Sequence, residues 1–509
     1  MIDGLLVVAV LVGGGVPAAL RWWRVAQREH YLAPWTTRFA LRWHLLDPIN
    51  VVALIVSVVA VAVAIVVPPV ALVVIATAAL APRGLSIRGR SSKLNWTRRM
   101  RTVGAVSVAI GLLVVVIGLA VGVGPALAGA VVVLFPAVVD AALALLVPGE
   151  RRAAARFVTQ ATGRLRQLDP TTVAITGSYG KTTTKVLAAH LLTGSTDVVA
   201  SPASFNNTAG LSRTINEHLG DAVDVFIAEM GTYGPGEIRS MCSWVRPDIG
   251  VMTAIGPVHL ERMGTLDGIV TAKREILEGV SAAVLNIDAH GLAAVADEVE
   301  AEGVRVVRCS TQRPEVDVLV RRGDDARLVV TVRGAELAAA VETDADASNV
   351  ACALGIVLAL GIDPSEVAGR LDDLPTADHR RTIVTAASGA TIIDDTFNAN
   401  PAGAGAALDQ LERLASSDRK RVVVTPGMIE LGPQQDEENR RFAARAAEVA
   451  THVLLVGRTN RVALAAGATG GTAEVTEFST RDEAVAWVRS HTAGGDVILY
   501  ENDLPDHFP

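Results

Sequence analysis

Hydrophobic and polar positions follow one pattern up to about residue 150 and another after it. In the first part apolar residues run almost unbroken over lengths close to the ~20 that a membrane-spanning helix needs. Residues 3 to 20 form one such run and "INVVALIVSVVAVAVAIVV" (49 to 67) a second. Pro68 and Pro69 break the pattern and leave "VALVVIATAAL" as a short third run; residues 103 to 122 and 125 to 147 complete five expected passes. Beyond residue 150 the runs shorten to "TVAIT", "DVFIAEM", "DIGVMTAI" and "AAVLNI" and alternate with helical stretches, which predicts a parallel α/β sheet. A polar, β-rich patch at 315 to 343 predicts strands or hairpins inserted late in this domain. A second α/β series begins near His379, with "TIIDD", "RVVVTP" and "THVLLVG" as strands. The expected architecture is an α-helical membrane region (1–150) followed by two α/β domains, 151–378 and 379–509.

Charge adds an orientation to this picture. Arg21, Arg24, Arg28, Arg38 and Arg42 follow the first run, a cluster from Arg83 to Arg101 follows the third, and Arg151, Arg152 and Arg156 follow the fifth. Lys and Arg accumulate in cytoplasmic loops. Five passes would therefore place the N-terminus outside and everything after residue 150 in the cytoplasm, in a multi-pass protein of the cell membrane. A monotopic hydrophobic hairpin is the alternative. The first residues lack a basic n-region, which favours a retained anchor over a cleaved signal peptide. The net charge of -7 combines a basic N-terminal third with a more acidic remainder and carries no nucleic-acid signal. Cys242, Cys309 and Cys352 lie far apart, with no metal-like spacing, and are expected to be reduced and buried.

Candidate chemistry begins at "ITGSYGKTTTK" (175 to 185), a strand that opens through Gly177, Ser178 and Gly180 into Lys181, Thr182 and Thr183. Such a loop presents backbone N–H groups and a helix N-terminus to an anion. Lys181 would reach the β and γ phosphates of ATP, and Thr182 would ligate magnesium. Downstream come "SFNNTAGLSRTI" (204 to 215), "IAEMGTYGPGEI" (227 to 238), "PDIGVMTAIGPVHLERMGTLDGIVTAKREI" (247 to 276) and "NID" (286 to 288). Later come "HRR" (379 to 381), "IIDDTFNANPAGA" (392 to 404) and "GMIELG" (427 to 432).

The short loop form and the order of these motifs resemble the Mur ligase family over nearly all of residues 165 to 509, on the branch that adds D-alanyl-D-alanine to a UDP-muramoyl tripeptide. The resemblance implies a central ATPase domain and a Rossmann-like C-terminal domain. It also implies an ATP-dependent amide ligase working through an acyl phosphate, with two magnesium ions held by Thr182, Glu229, His259 and Lys273, the lysine carbamylated. Read alone, Glu229 is a strand-end carboxylate, His259 a structural histidine and Lys273 a surface lysine. Asn286, Asp288 and Asn349 would contact the nucleotide, although the first two read equally as a turn after a strand and Asn349 as a helix N-cap. Arg380 and Asp395 would reach phosphate and ribose from a closing C-terminal domain. Asn398 and Asn400 would touch nucleotide or amine, or only shape their loop. Asn206 and Asn207 match a substrate-side loop.

Two departures bear on substrate. Five hydrophobic passes stand where these relatives carry a small uridine-diphosphate-binding domain, and Glu501 stands where that branch has a lysine. The expected partners are a lipid bilayer and peptide or amino-acid substrates, UDP-linked or lipid-linked. A poly-γ-glutamate-type synthetase is the alternative within the class. An ATP-driven transporter, outside it, is disfavoured because no LSGGQ-like signature occurs; an ATP-binding scaffold is disfavoured by the intact Lys181, Glu229, His259 and Lys273.

Overall fold

The structure is a computed structural model that describes residues 2–87, 93–258, 260–323, 327–343, 345–375, 382–386, 388–396, 400–416, 418–504 and 508. It divides into two compact units: residues 1–152 with 457–459 and 503–509, and residues 153–456 with 460–502.

The first unit is helical. Among the described residues, Ile2–Arg28 and Arg98–Ala120 are long and apolar enough to cross a membrane. Two bent pairs raise the number to four if each counts as one span: Trp35–Leu45 with Pro48–Val63, bent by 114°, and Gly124–Val133 with Phe135–Leu168, bent by 77°. The expected third pass is corrected. Pro68–Leu72 is a 3-10 turn and Val73–Leu80 a helix of 8 residues, about 12 Å at 1.5 Å per residue, well short of a ~30 Å bilayer core. The count of five passes on which an outside N-terminus rested thus exceeds the two to four candidate spans among the described residues.

Charged side chains inside this unit serve helix ends. Arg21 donates to the carbonyls of Ala78 (3.0 Å), Ala81 (2.8 Å) and Leu85 (3.0 Å), satisfying the C-terminus of Val73–Leu80. Asp140 lies within the last apolar run and accepts from Thr37 N (2.8 Å) and Thr37 Oγ1 (2.6 Å), at the N-terminus of Trp35–Leu45. Its carboxylate thus caps a helix.

The second unit holds two sheets. The first has nine strands in the order β2-β3-β1-β4-β5-β6-β7-β8-β9. They are β1 (Thr171–Thr176), β2 (Val198–Ala200), β3 (Val225–Glu229), β4 (Ile249–Met252), β5 (Ala282–Asn286), β6 (Arg305–Ser310), β7 (Val318–Arg322), β8 (Leu328–Val332) and β9 (Ala335–Val341). Strands β1 to β7 pair in parallel, and β7, β8 and β9 form an antiparallel meander at one edge. That meander is the polar patch of 315 to 343. Helices cover both faces of the parallel part, so its strands are continuously apolar rather than alternating; β3 is buried throughout. The second sheet has the order β10-β11-β15-β12-β13-β14: β10 (Thr382–Thr385), β11 (Thr391–Asp395), β12 (Arg421–Thr425), β13 (His452–Val456), β14 (Glu474–Phe478) and β15 (Val497–Glu501). Only β10 runs antiparallel. Cys242, Cys309 and Cys352 are free and buried, as expected.

Candidate active site

The chain leaves β1 for one edge of the sheet and returns to the other side of it, so β1 lies between β3 and β4 where the strand order reverses. Ligands in open α/β sheets bind at that point, beyond the carboxyl ends of the strands. Gly177 and Glu229 stand there, at the ends of β1 and β3.

Two glycines are required by space. A Cβ on Gly177 would lie 2.1 Å from Thr253 Oγ1, and one on Gly180 would lie 2.1 Å from Asn349 Oδ1. Gly180 also has a φ of +78°, the left-handed region that favours glycine. It caps helix Lys181–Leu192, so the loop turns directly into an N-terminus. Lys181 Nζ donates to the carbonyl oxygens of Gly177 (2.8 Å) and Ser178 (3.4 Å). Lys273 Nζ, buried on helix Leu266–Arg274, donates to the same Gly177 oxygen at 3.0 Å. Burial first, and then the nearby Lys181 ammonium, hold the Lys273 amine well below the usual lysine range.

Glu229 is 1% exposed. Its Oε2 accepts from Thr182 Oγ1 (2.9 Å) and from Lys185 Nζ (2.9 Å), and its Oε1 accepts from Asn206 Nδ2 (3.1 Å). Thr182, Glu229 and Asn206 therefore form one cluster. Lys185 was missed. It is buried, forms an ion pair with Glu229 and also donates to Ala203 O at 2.5 Å. A signal was present in "KTTTK": two lysines four residues apart share a helix face.

Other predicted residues are committed to building the loops. Ser178 Oγ donates to Gly256 O and its oxygen accepts from Gly256 N, both at 3.0 Å, clasping the turn after β4. Thr183 is half-buried in the first turn after the loop. Asn207 Oδ1 caps helix Thr208–His218 through Gly210 N at 2.9 Å. Asn286 Nδ2 donates to Thr253 O (2.8 Å), while Asp288 accepts from Ser310 Oγ (2.6 Å), Thr311 N (2.6 Å) and Thr311 Oγ1 (2.9 Å). The N-cap reading of Asn349 is corrected. Asp346 caps that helix, and Asn349 Oδ1 instead accepts from Thr184 Oγ1 at 3.3 Å, beside Gly180. Asn400 caps helix Pro401–Leu414, accepting from Gly403 N at 2.9 Å. Asp395 ends β11. His259, Arg380 and Asn398 lie outside the described residues.

The two sheets meet near this site. A Cβ on Gly432, in the "GMIELG" motif, would lie 3.2 Å from Glu261 N. Arg262 Nη2 approaches Glu430 Oε1 at 3.8 Å.

Family models match the chain twice: the Mur ligase middle domain over residues 175–357 and the Mur ligase glutamate ligase domain over residues 379–500. The UDP-N-acetylmuramoyl-tripeptide–D-alanyl-D-alanine ligase of Mycobacterium leprae is 31% identical over 369 residues, covering 65% of this chain and 70% of the relative. The chain is a Mur ligase. Two solved structures share its fold: MurF from Acinetobacter baumannii (TM-score 0.59, 23% identity, 69% of this chain and 77% of that one) and the MurF ligase from Thermotoga maritima in complex with ADP (TM-score 0.58, 22% identity, 69% and 80%). Mur ligases form amide bonds with ATP, which accounts for a phosphate-binding loop backed by an acidic residue. The oxygen donors Thr182 and Glu229 suit magnesium, which binds through one or two protein oxygens completed by phosphate and water. Among the described residues no group of three or more His, Cys, Asp and Glu side chains gathers elsewhere to hold a metal.

Proposed function

We propose that this Mur ligase is a membrane-anchored enzyme that joins an amino acid or D-alanyl-D-alanine to a muramoyl-peptide-type wall precursor through an acyl phosphate, with its two α/β domains in the cytoplasm. The observation that carries the reading is the cluster at the switch point of the sheet. Lys181 and Lys273 converge on Gly177 O, and Thr182, Asn206 and Lys185 converge on Glu229. Lys181 and the loop N–H groups hold the phosphates in line with the substrate carboxylate. Magnesium at Thr182 and Glu229 would neutralise charge on the transferred phosphoryl group.

Lys273 fits the carbamylation expected of it. Carbon dioxide is attacked only by the neutral amine, and burial beside Lys181 favours that form. Adding the carbamate replaces one of two crowded cations by an anion, a ligand suited to a second magnesium with His259. The C-terminal domain then delivers the amine, and its closure keeps water from the acyl phosphate. Two helices long and apolar enough to cross a membrane support anchoring this chemistry there, where a lipid-linked or UDP-linked precursor would be handled.

The test uses full-length protein in detergent with ATP and magnesium. UDP-muramoyl peptides, lipid-linked precursors and glutamate are offered with D-alanyl-D-alanine and other amines, and products are read by mass spectrometry. A new amide on a muramoyl peptide is expected, falling at least ~100-fold on Lys181→Ala. Glutamate polymer with no muramoyl product would transfer the reading to capsule-type synthesis.

A further inference from the structure

Helix Trp35–Leu45 of the helical unit contains Arg38 and Arg42 and no Asp or Glu. It turns by 114° into Pro48–Val63, which carries no charged residue. Arginine at the centre of a bilayer is costly, so the apolar helix rather than the basic one suits the hydrocarbon. With Pro48–Val63 crossing, a turn of that size leaves Trp35–Leu45 near the plane of the interface. The two faces of the basic helix differ. Phe39, Ala40 and Trp43 are buried in the core of the helical unit. At about 100° per residue, the opposite arc runs from Leu41 through Leu45 and Arg38 to Arg42 and Trp35. Leu41 is 51% exposed and Leu45 69%, and Arg38 is exposed as well. Leucines on one flank, with arginines and an aromatic ring on the other, suit a helix lying in an interface with its apolar flank in the lipid.

The helix is fixed at both ends. At its start Asp140 accepts from Thr36 N (3.3 Å), Thr37 N (2.8 Å) and Thr37 Oγ1 (2.6 Å). At its end Asn50 Nδ2 donates to Trp43 O at 3.0 Å, while Asn50 Oδ1 accepts from Arg83 N at 2.6 Å. The exposed arc is therefore presented from a rigid support. The Arg38 guanidinium lies over the Trp35 ring, 4.7 Å from its centroid, and the Arg42 guanidinium over Phe39 at 5.6 Å. An arginine already held against a ring gives up less side-chain freedom on binding, and its N–H fork fits two phosphate oxygens. A tryptophan beside them suits the boundary between membrane and water.

We propose that helix Trp35–Leu45 lies in the membrane interface, with Leu41 and Leu45 among the acyl chains and Arg38 and Arg42 binding the phosphate of an anionic phospholipid. Two positive charges with no acid in the helix favour an anionic headgroup over a zwitterionic one, whose own cation would stand beside them. This role requires the helical unit to sit in a bilayer, as the membrane-anchored reading has it, whereas the preference for anionic lipid belongs to the two arginines alone.

Full-length protein in detergent is mixed with phosphatidylglycerol or phosphatidylcholine of matched chains, and the lipids it retains are counted by native mass spectrometry. Phosphatidylglycerol should bind more tightly. The double variant Arg38→Gln/Arg42→Gln should weaken that binding roughly 25-fold, about fivefold for each charge near the headgroups, and leave phosphatidylcholine binding and the melting temperature unchanged. Equal binding of the two lipids by the parent, or an undiminished preference in the variant, would overturn the lipid site. Displacement of phosphatidylglycerol by inorganic phosphate would overturn it in favour of a site for a free anion. Nitroxide labels at Leu41→Cys and Leu45→Cys, read separately in phosphatidylcholine nanodiscs, should lie at closely similar depths. A difference near ~6 Å, the rise of four helical residues at ~1.5 Å each, would mean that the helix runs along the membrane normal. Release of the protein from phosphatidylcholine vesicles by alkaline carbonate would sink the membrane reading and the helix placement together; retention without a preference for phosphatidylglycerol would sink the lipid site alone.

Discussion

Glu229 and Glu501 occupy equivalent places in two sheets. Each is the last residue of a parallel strand, and each is almost completely shielded from solvent, at 1% and 0% exposure. Their surroundings are opposite. Glu229 has a lysine, a threonine and an asparagine on its two oxygens; Glu501 has one threonine and a second acid. Burial alone therefore does not say what a strand-end carboxylate does. The first is held by Lys185, Thr182 and Asn206 in a place that metal and phosphate can be built around. Burial, and then the neighbouring Asp395, push the pKa of the second up to about 8, so it keeps its proton at neutral pH.

The most severe way to break this comparison is to remove the cation from the first site. Lys185→Met leaves Glu229 buried without its ion-pair partner and should destabilise the unit by about 3–5 kcal/mol, measured by urea unfolding in detergent. The double variant Lys185→Met/Glu229→Gln should recover most of that loss. An unchanged midpoint in the single variant would mean that the pair contributes nothing and that the two glutamates differ less than their contacts imply.

A smaller effect is expected at the second site, and its sign depends on pH. Glu501 holds its proton to about pH 8 in the native state, whereas an unfolded glutamate loses it near ~4.3. Between those values the native state binds more protons, so the Glu501 contribution to stability falls as pH rises and the loss is complete above about 8. Glu501→Gln should melt higher than the parent at pH 9 and equal to it at pH 4. Equal melting at both would show that the acid is not charged at a cost.

The mildest test compares neighbours. Asn206→Ala removes a donor to Glu229 Oε1 and should raise the magnesium concentration needed for half-maximal nucleotide binding. Asn207→Ala removes a helix cap, costs about 1 kcal/mol and should leave the magnesium requirement unchanged. Fluorescent-nucleotide titrations with each variant decide between these roles.

Much of this was legible in the chain. The parallel sheet followed from short apolar runs alternating with helices, and the phosphate loop from glycines that only a close turn needs. The meander at the sheet edge was visible because its polar alternation differs from the buried strands around it. The prolines marked the third run as separate and short, but only the structure shows how short: a 3-10 turn and a helix of 8 residues. The side-chain roles of Ser178, Asn207, Asp288 and Asn400 were also hidden, since an Asn or Ser in a motif reads the same whether it clasps a turn or faces a ligand.

The sequence by itself determined the local outcomes: where strands and helices form, where the left-handed turn at Gly180 must fall, and which lysines share a helix face. These depend on residues a few positions apart. The tertiary structure alone decided which charges meet. Lys185 and Glu229 are separated by 44 positions, as are Lys181 and Gly177 from Lys273 by more than 90, and their encounter depends on β1 lying between β3 and β4. Glu501 comes to lie beside Asp395 because β15 inserts between β11 and β12. Electrostatic environment is set by distance through space and by exclusion of water, and neither is written in the spacing of residues along the chain.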